Sequence, residues 1–127
     1  MWQPFEQIEI ALTRRPAGQP DATRLPGMEL TLDQALYGFT VGGARILYKE
    51  DIIGSLEEGK RADIIVLDRD IRQQVEDDVF RLHETLVLRT YPDGTLVYEY
   101  TGEVPDLDDE LPDSRGSVLQ GSRDGDR

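Results

Sequence analysis

Residues 54–60 have the spacing of a phosphate-binding loop, but the surrounding side chains argue against that chemistry. The segment reads GSLEEGK and matches the first positions of a P-loop. The next residue is Arg61, which has no hydroxyl to hold magnesium, while Glu57 and Glu58 would repel a phosphate. An aliphatic run follows, where a P-loop needs a helix whose N-terminus faces the anion. We therefore interpret the segment as a turn and exclude nucleotide binding.

His83 is the only histidine, and the chain has no cysteine. Metal binding or acid–base catalysis would need further ligands or a partner that converge on its imidazole. Its sequence neighbours Leu82, Glu84 and Thr85 supply no second histidine. We interpret His83 as a packing or partly exposed surface residue. The lack of cysteine also excludes disulfides, a thiol nucleophile and a cysteine-ligated metal.

Two further groups of residues could suggest a site. The acidic group lacks the glycine turn and spacing of an EF-hand loop and reads as a solvated tail; it comprises Asp106, Asp108, Asp109 and Glu110. The tyrosines are typical of cross-strand packing; they are Tyr48, Tyr91, Tyr98 and Tyr100. No Ser–His–Asp arrangement or carboxylate dyad stands out. We therefore predict no catalytic, cofactor-binding or metal-binding residue in this chain.

Charge and hydropathy restrict the partners. The formal net charge is −12, and the basic residues form only pairs. A nucleic-acid surface needs clustered Lys and Arg, so we expect no nucleic-acid partner. No apolar run approaches the roughly 20 residues that cross a bilayer, and the N-terminus lacks the pattern of a signal peptide. We expect a cytoplasmic protein with no membrane partner.

Two helices are predicted in the first part of the chain. Pro4 suits a first helical turn, and Phe5, Ile8 and Leu12 form one apolar stripe, which predicts a helix over 4–15. Prolines and glycines predict a loop over 17–27. Thr31 and Gln34 fit a capping box that opens a second helix, ending near residue 48. Gly42, Gly43 and Ala44 indicate close approach of another element.

Strands are predicted in the second part. The run over 64–67 is continuously aliphatic, which is typical of a strand buried on both faces. Asp93 and Gly94 favour a hairpin turn between strands at 86–90 and 95–100. A single helical turn is expected over 75–80. Residues 103–127 carry a net charge of −5 with few apolar groups, so we expect this tail to be disordered.

One block resembles the C-terminal signature of the amidohydrolase superfamily, most closely amidohydrolase family 3. Its parts are LDQAL at 32–36, FTVGGA at 39–44, and IGSLEEGKRADIIVLD at 53–68. The helix at 4–15 and the ending TYPDGTLVY at 90–98 are similar to the family's flanking elements. The resemblance covers about residues 3–100. It implies that the block itself is structural, with Asp63 accepting backbone hydrogen bonds from the turn at 58–60.

The resemblance implies an α/β fragment of a larger enzyme. Such enzymes pair a TIM barrel with a small composite β-sandwich made from both chain ends. We expect residues 1–50 to be the helical end of the barrel and 51–101 to be part of the sandwich, with a hairpin at 86–100. Residues 102–127 would be the disordered acidic tail. The family uses zinc or another divalent metal, held by barrel histidines, an aspartate and often a carboxylated lysine.

None of those ligands maps onto this chain, which begins just after the position of the aspartate in relatives. The resemblance therefore implies a C-terminal fragment of a hydrolase of non-peptide C–N bonds, inactive alone and binding no cofactor. The alternative is a non-catalytic module that packs on a partner chain supplying the barrel. We expect the missing barrel or another copy to bind exposed apolar faces on the helices at 5–12 and 32–39.

Overall fold

The computed structural model describes residues 3–102, and none of the helices in that range could cross a membrane. The helices are α1 (Pro4–Thr13), α2 (Leu32–Tyr37), α3 (Gly43–Ile46) and α4 (Ile71–Asp78). A π-helical turn, Gly38–Gly42, joins α2 to α3, and 3-10 segments span Val79–Glu84 and Pro92–Gly94. The strands are β1 (Ile64–Leu67), β2 (Val87–Tyr91) and β3 (Tyr98–Glu99).

Helix α1 begins and ends where its sequence dictates. Pro4 lies in the first turn, where a missing backbone N–H costs nothing. Arg14 adopts a left-handed conformation and caps the helix by donating its N–H to the Ile10 carbonyl. Phe5 and Ile8 are buried, so the apolar stripe of α1 packs inside this chain. The prediction of an exposed face on this helix was therefore wrong.

The second predicted helix is present and contains the π-helical turn. Thr31 and Gln34 form the predicted capping box, in which each side chain accepts from the other residue's backbone N–H. The close approach expected at residues 42–44 falls at Ala44, and the residue that approaches it is Gly54, which has φ +98°. A Cβ on Gly54 would lie 2.8 Å from the Ala44 Cβ. Only glycine fits both this backbone conformation and this space.

The three strands form an antiparallel sheet in the order β1-β2-β3. Ile64 lies opposite Tyr91, and Thr90 lies opposite Tyr98. The predicted turn joins β2 to β3, and Asp93 and Gly94 both have positive φ. Strand β3 is shorter than the predicted 95–100.

The main core lies between α1, α2 and the 3-10 segment Val79–Glu84. Its buried members are Phe5, Ile8, Ala35 and Leu82, with Leu67 and Val87 of the sheet packed against them. The core combines residues from both sides of position 50, the predicted boundary between the barrel end and the sandwich. That boundary remains a prediction about a larger protein. The predicted acidic tail from 103 onwards lies outside the described residues.

Two predictions about the second half were wrong. Strand β1 has its predicted bounds, but it lies at a sheet edge and three of its four residues are exposed. It has the composition of a buried strand, yet of its residues only Leu67 packs against the core within residues 3–102, and Ile64, Ile65 and Val66 are exposed. The single turn expected at 75–80 is instead α4 plus a 3-10 segment. Asp70 starts α4 by accepting from the N–H groups of Arg72 and Gln73.

Candidate functional site

His83 has a buried carboxylate partner that its sequence neighbours did not indicate. The Glu9 side chain is 0% exposed, and its Oε2 lies 2.7 Å from His83 Nδ1 and 2.8 Å from the His83 backbone nitrogen. The other oxygen, Oε1, accepts from the Gly18 N–H at 2.6 Å. Glu9 thus joins α1 to the loop after it and to the 3-10 segment.

The cluster of Glu9, Gly18 and His83 is closely packed. A Cβ on Gly18 would lie 3.0 Å from His83 Cε1, so the imidazole covers the glycine. His83 remains partly exposed, in agreement with its interpretation as a packing residue. Glu9 could have been noticed in the sequence, because it lies one turn after Phe5 on the apolar side of α1.

This cluster does not fit a metal ion. No group of three or more His, Asp or Glu side chains in the described part of the chain could hold one. Both Glu9 oxygens already accept from donors within the fold, and a catalytic zinc site needs three protein ligands. We therefore derive no metal-dependent step from these residues, and the role that the geometry supports for Glu9 is to fix α1.

The P-loop-like segment is held by its own lysine. Lys60 Nζ donates to the Glu50 carbonyl at 2.6 Å and to Ser55 Oγ at 2.8 Å, and it pairs with the Glu57 carboxylate at 2.6 Å. Hydrogen bonds from Lys60 and Ser55 hold the pKa of Glu57 below its usual value. The Lys60 ammonium therefore closes the loop that precedes β1, as expected for a structural turn.

Asp63 and Asp68 organise the two ends of β1. Asp63 Oδ1 accepts from the backbone N–H of Asp93 at 2.8 Å, so the expected bonds to the turn at 58–60 were wrong. Asp68 Oδ1 accepts from the Leu86 N–H at 2.9 Å. Hydrogen bonds from Arg69 lower the pKa of Asp68. Both carboxylates join β1 to the segments around β2.

A wide apolar groove separates the π-helical turn Gly38–Gly42 and α3 from β1. Its volume is about 530 Å³, and its lining includes Phe39, Ala44, Leu47, Leu56, Ile64 and Ile65. Leu56 is 74% exposed and Ile65 51% exposed. We call these six residues the apolar face. It begins at Phe39, near the end of the predicted range 32–39, and then continues along the chain to β1. Large aliphatic side chains exposed together mark a surface that binds another element.

The sequence profile of the amidohydrolase family matches residues 1–98. The chain belongs to the amidohydrolase family. This agrees with the resemblance carried by the block at 32–68.

Curated relatives extend the match, though the chain spans only about a fifth of their length or less. An N-substituted formamide deformylase from Arthrobacter pascens is 44% identical over 102 residues, covering 80% of this chain and 18% of the deformylase. A guanine deaminase from Escherichia coli is 34% identical, covering 60% of this chain and 20% of that protein. A solved amidohydrolase from Thermotoga maritima is 34% identical, with a TM-score of 0.46, covering 56% of this chain and 16% of that one.

Proposed function

We propose that residues 3–100 form the non-catalytic C-terminal part of a metal-dependent amidohydrolase that acts on a non-peptide C–N bond. The metal ligands and the catalytic base are supplied by a TIM barrel outside this sequence. In this proposal the chain holds the barrel's last helices in place and contributes strands to the composite sandwich. Its own residues do not act on the substrate.

The exposed apolar face is the observation that supports this proposal. A self-sufficient domain of this size would bury its best strand-forming segment, because burial of apolar area is the main favourable term in folding. Here Ile64, Ile65 and Leu56 remain open to solvent beside the groove. A covering layer from the barrel or from N-terminal strands would bury them.

The type of bond cleaved in this proposal is inferred from the relatives. A deformylase of N-substituted formamides and a deaminase of guanine both break a C–N bond. The described part of this chain offers no set of metal ligands, and its one histidine is held by Glu9. We therefore assign bond cleavage to the rest of the enzyme.

A chimera tests the proposal. The matching region of this chain replaces the C-terminal region of the Arthrobacter pascens deformylase, and kcat/KM is measured with an N-substituted formamide. We expect activity within about tenfold of the parent, equivalent to a loss of about 1.4 kcal/mol in transition-state stabilisation. A chimera that folds but has lost all turnover would contradict the proposal.

Two variants of the chimera test the apolar face. Leu56→Asp places a charge where the barrel should pack, and we expect it to lower the yield of folded, active enzyme. Met28→Asp is the matched control, because Met28 is 86% exposed and does not line the groove. Equal losses in both variants would exclude the apolar face as the docking surface.

The barrel could also be carried by a separate polypeptide. Mixing this chain with a deformylase that lacks its own C-terminal region tests that arrangement, since restored activity would show docking between chains. The isolated chain should neither retain zinc after dialysis nor hydrolyse formamides. Stoichiometric zinc together with turnover by this chain alone would overturn the assignment of the chemistry to the barrel.

A further inference from the structure

The Glu9 carboxylate lies in the middle of α1 and contacts backbone groups of two other segments. Its Oε1 accepts from the Gly18 N–H at 2.6 Å, and its Oε2 accepts from the His83 N–H at 2.8 Å. Both donors belong to the main chain, so neither can follow a displaced carboxylate by changing a side-chain rotamer. Glu9 is 0% exposed, so bulk water cannot replace a lost partner. The two bonds therefore fix α1 relative to both segments.

Among the hydrogen bonds that join α1 to other segments of the described chain, those of Glu9 lie nearest the start of the helix. Other such bonds lie later, at the carbonyls of Ala11 and of the C-cap residue Arg14. Before Glu9, the buried side chains of α1 are those of Phe5 and Ile8. Apolar contact is not directional, whereas a hydrogen bond weakens steeply as it bends. The position of the first turns thus depends on the carboxylate.

The start of α1 has a defined place in the proposed enzyme, and this step rests on the proposed function. In a TIM barrel every helix follows a strand, and the loop between them lies at the face that carries the active site. As a barrel helix, α1 begins at that catalytic face with Pro4. Glu9 lies only about 7.5 Å further along the helix axis. Its bonds therefore act close to the catalytic face.

We propose that Glu9 is a positioning residue for the reaction of this enzyme. Through its bonds to residues 18 and 83, the carboxylate fixes the start of α1, and with it the loop that enters the helix from the catalytic face. Glu9 is enclosed by the fold, so it acts through that loop and does not touch the substrate. A misplacement of about 1 Å can cost about a hundredfold in rate, so a small shift of α1 should reduce turnover.

Glu9→Gln in the chimera tests this role, because the variant keeps the shape of the side chain and removes one acceptor. Its NH2 group would face one of the two backbone donors, which forces α1 to move. We expect kcat to fall about tenfold or more while KM changes less than about twofold, since the loop acts mainly on the transition state. Glu9→Asp is one methylene shorter and cannot reach both donors. It provides the same test if Glu9→Gln does not fold.

Asp70→Ala is the matched control for a loss of stability alone. Asp70 caps α4 by accepting from the N–H groups of Arg72 and Gln73, and it makes no hydrogen bond to α1 within the described residues. Removing a cap destabilises a fold without displacing α1. Circular dichroism gives the folded fraction of each chimera, and kcat is expressed per folded enzyme. We expect Asp70→Ala to keep the kcat of the unaltered chimera.

Amide hydrogen exchange on the 127-residue chain is a second readout that needs no activity. The N–H groups of Gly18 and His83 should exchange slowly, because both donate to a buried carboxylate. Glu9→Gln should raise the exchange rate of at least one of them about tenfold or more. Fast exchange of both amides in the unaltered chain would show that the bonds are not formed and would overturn the proposal.

The kinetic outcomes separate this proposal from the proposed function. An active chimera whose kcat is unchanged by Glu9→Gln and Glu9→Asp would remove only the positioning role, as would an equal loss of kcat in Asp70→Ala. A folded but inactive unaltered chimera would instead remove the enzymatic assignment on which the positioning role rests.

Discussion

Glu9 Oε2 accepts a hydrogen bond from the His83 backbone N–H and lies 2.7 Å from Nδ1 of the same residue's ring. The two residues are 74 positions apart, and the carboxylate is fully buried. The other carboxylate oxygen accepts from the Gly18 N–H. The carboxylate therefore joins α1, the loop that follows it and the 3-10 segment Val79–Glu84. We regard it as the main polar link between α1 and the rest of the fold.

Removing this carboxylate should destabilise the chain strongly. Glu9→Ala leaves the N–H groups of Gly18 and His83 without an acceptor, and we expect a loss of about 3 kcal/mol in the free energy of unfolding. His83→Ala keeps the backbone bond and should cost only about 1 kcal/mol. Urea denaturation measures both. Equal effects of the two variants would show that the backbone bonds to Glu9 contribute little.

Gly54→Ala should be destabilising, because its φ of +98° disfavours a side chain and a Cβ would meet Ala44 at 2.8 Å. We expect a loss of about 2 kcal/mol or more. The matched control is Gly43→Ala, a helical position with open space around it, which should be neutral or stabilising by up to about 1 kcal/mol. Thermal unfolding of both variants tests this, and a stable Gly54→Ala chain would refute the close contact with α3.

Lys60→Met should destabilise the turn before β1. It should not change nucleotide binding, because we expect the unaltered chain to bind no nucleotide. The ammonium makes three contacts within the loop, so we expect a loss of about 1–2 kcal/mol in unfolding free energy. Lys49→Met, at an exposed lysine, should have little effect. Calorimetric titration of the unaltered chain with Mg–ATP should show no binding. Saturable binding that Lys60→Met abolishes would restore the P-loop interpretation.

Asp68 should make stability depend on acid pH. Its pKa is lowered in the folded chain, chiefly by the hydrogen bond from Arg69. Its contribution is therefore present above the unfolded value near 3.8 and is lost as pH falls below it through the folded pKa. The stability difference between the unaltered chain and Asp68→Asn should shrink between pH 5 and pH 2. Asp21→Asn, at an exposed position, is the control variant measured over the same pH range.

The sequence alone determined the local elements. Pro4, the Thr31–Gln34 capping box and the Asp93-Gly94 turn act over a few residues, so their positions could be predicted from residue types. The block at 32–68 also indicated the amidohydrolase family, which the match over residues 1–98 shows. Helix α4 was underestimated, because its apolar residues Ile71 and Val75 are stabilised by packing on the core rather than by a strong local pattern.

Only the tertiary structure decided which side chains are buried and which meet. The approach of Glu9 to His83 and of Gly54 to Ala44 depends on long-range packing, which residue spacing does not encode. Long-range packing also explains why the exposure of β1 differs from the prediction. Its composition indicates a strand covered on both faces, but burial is a property of the neighbouring layers, and within residues 3–102 those layers leave its outer edge and the apolar face open.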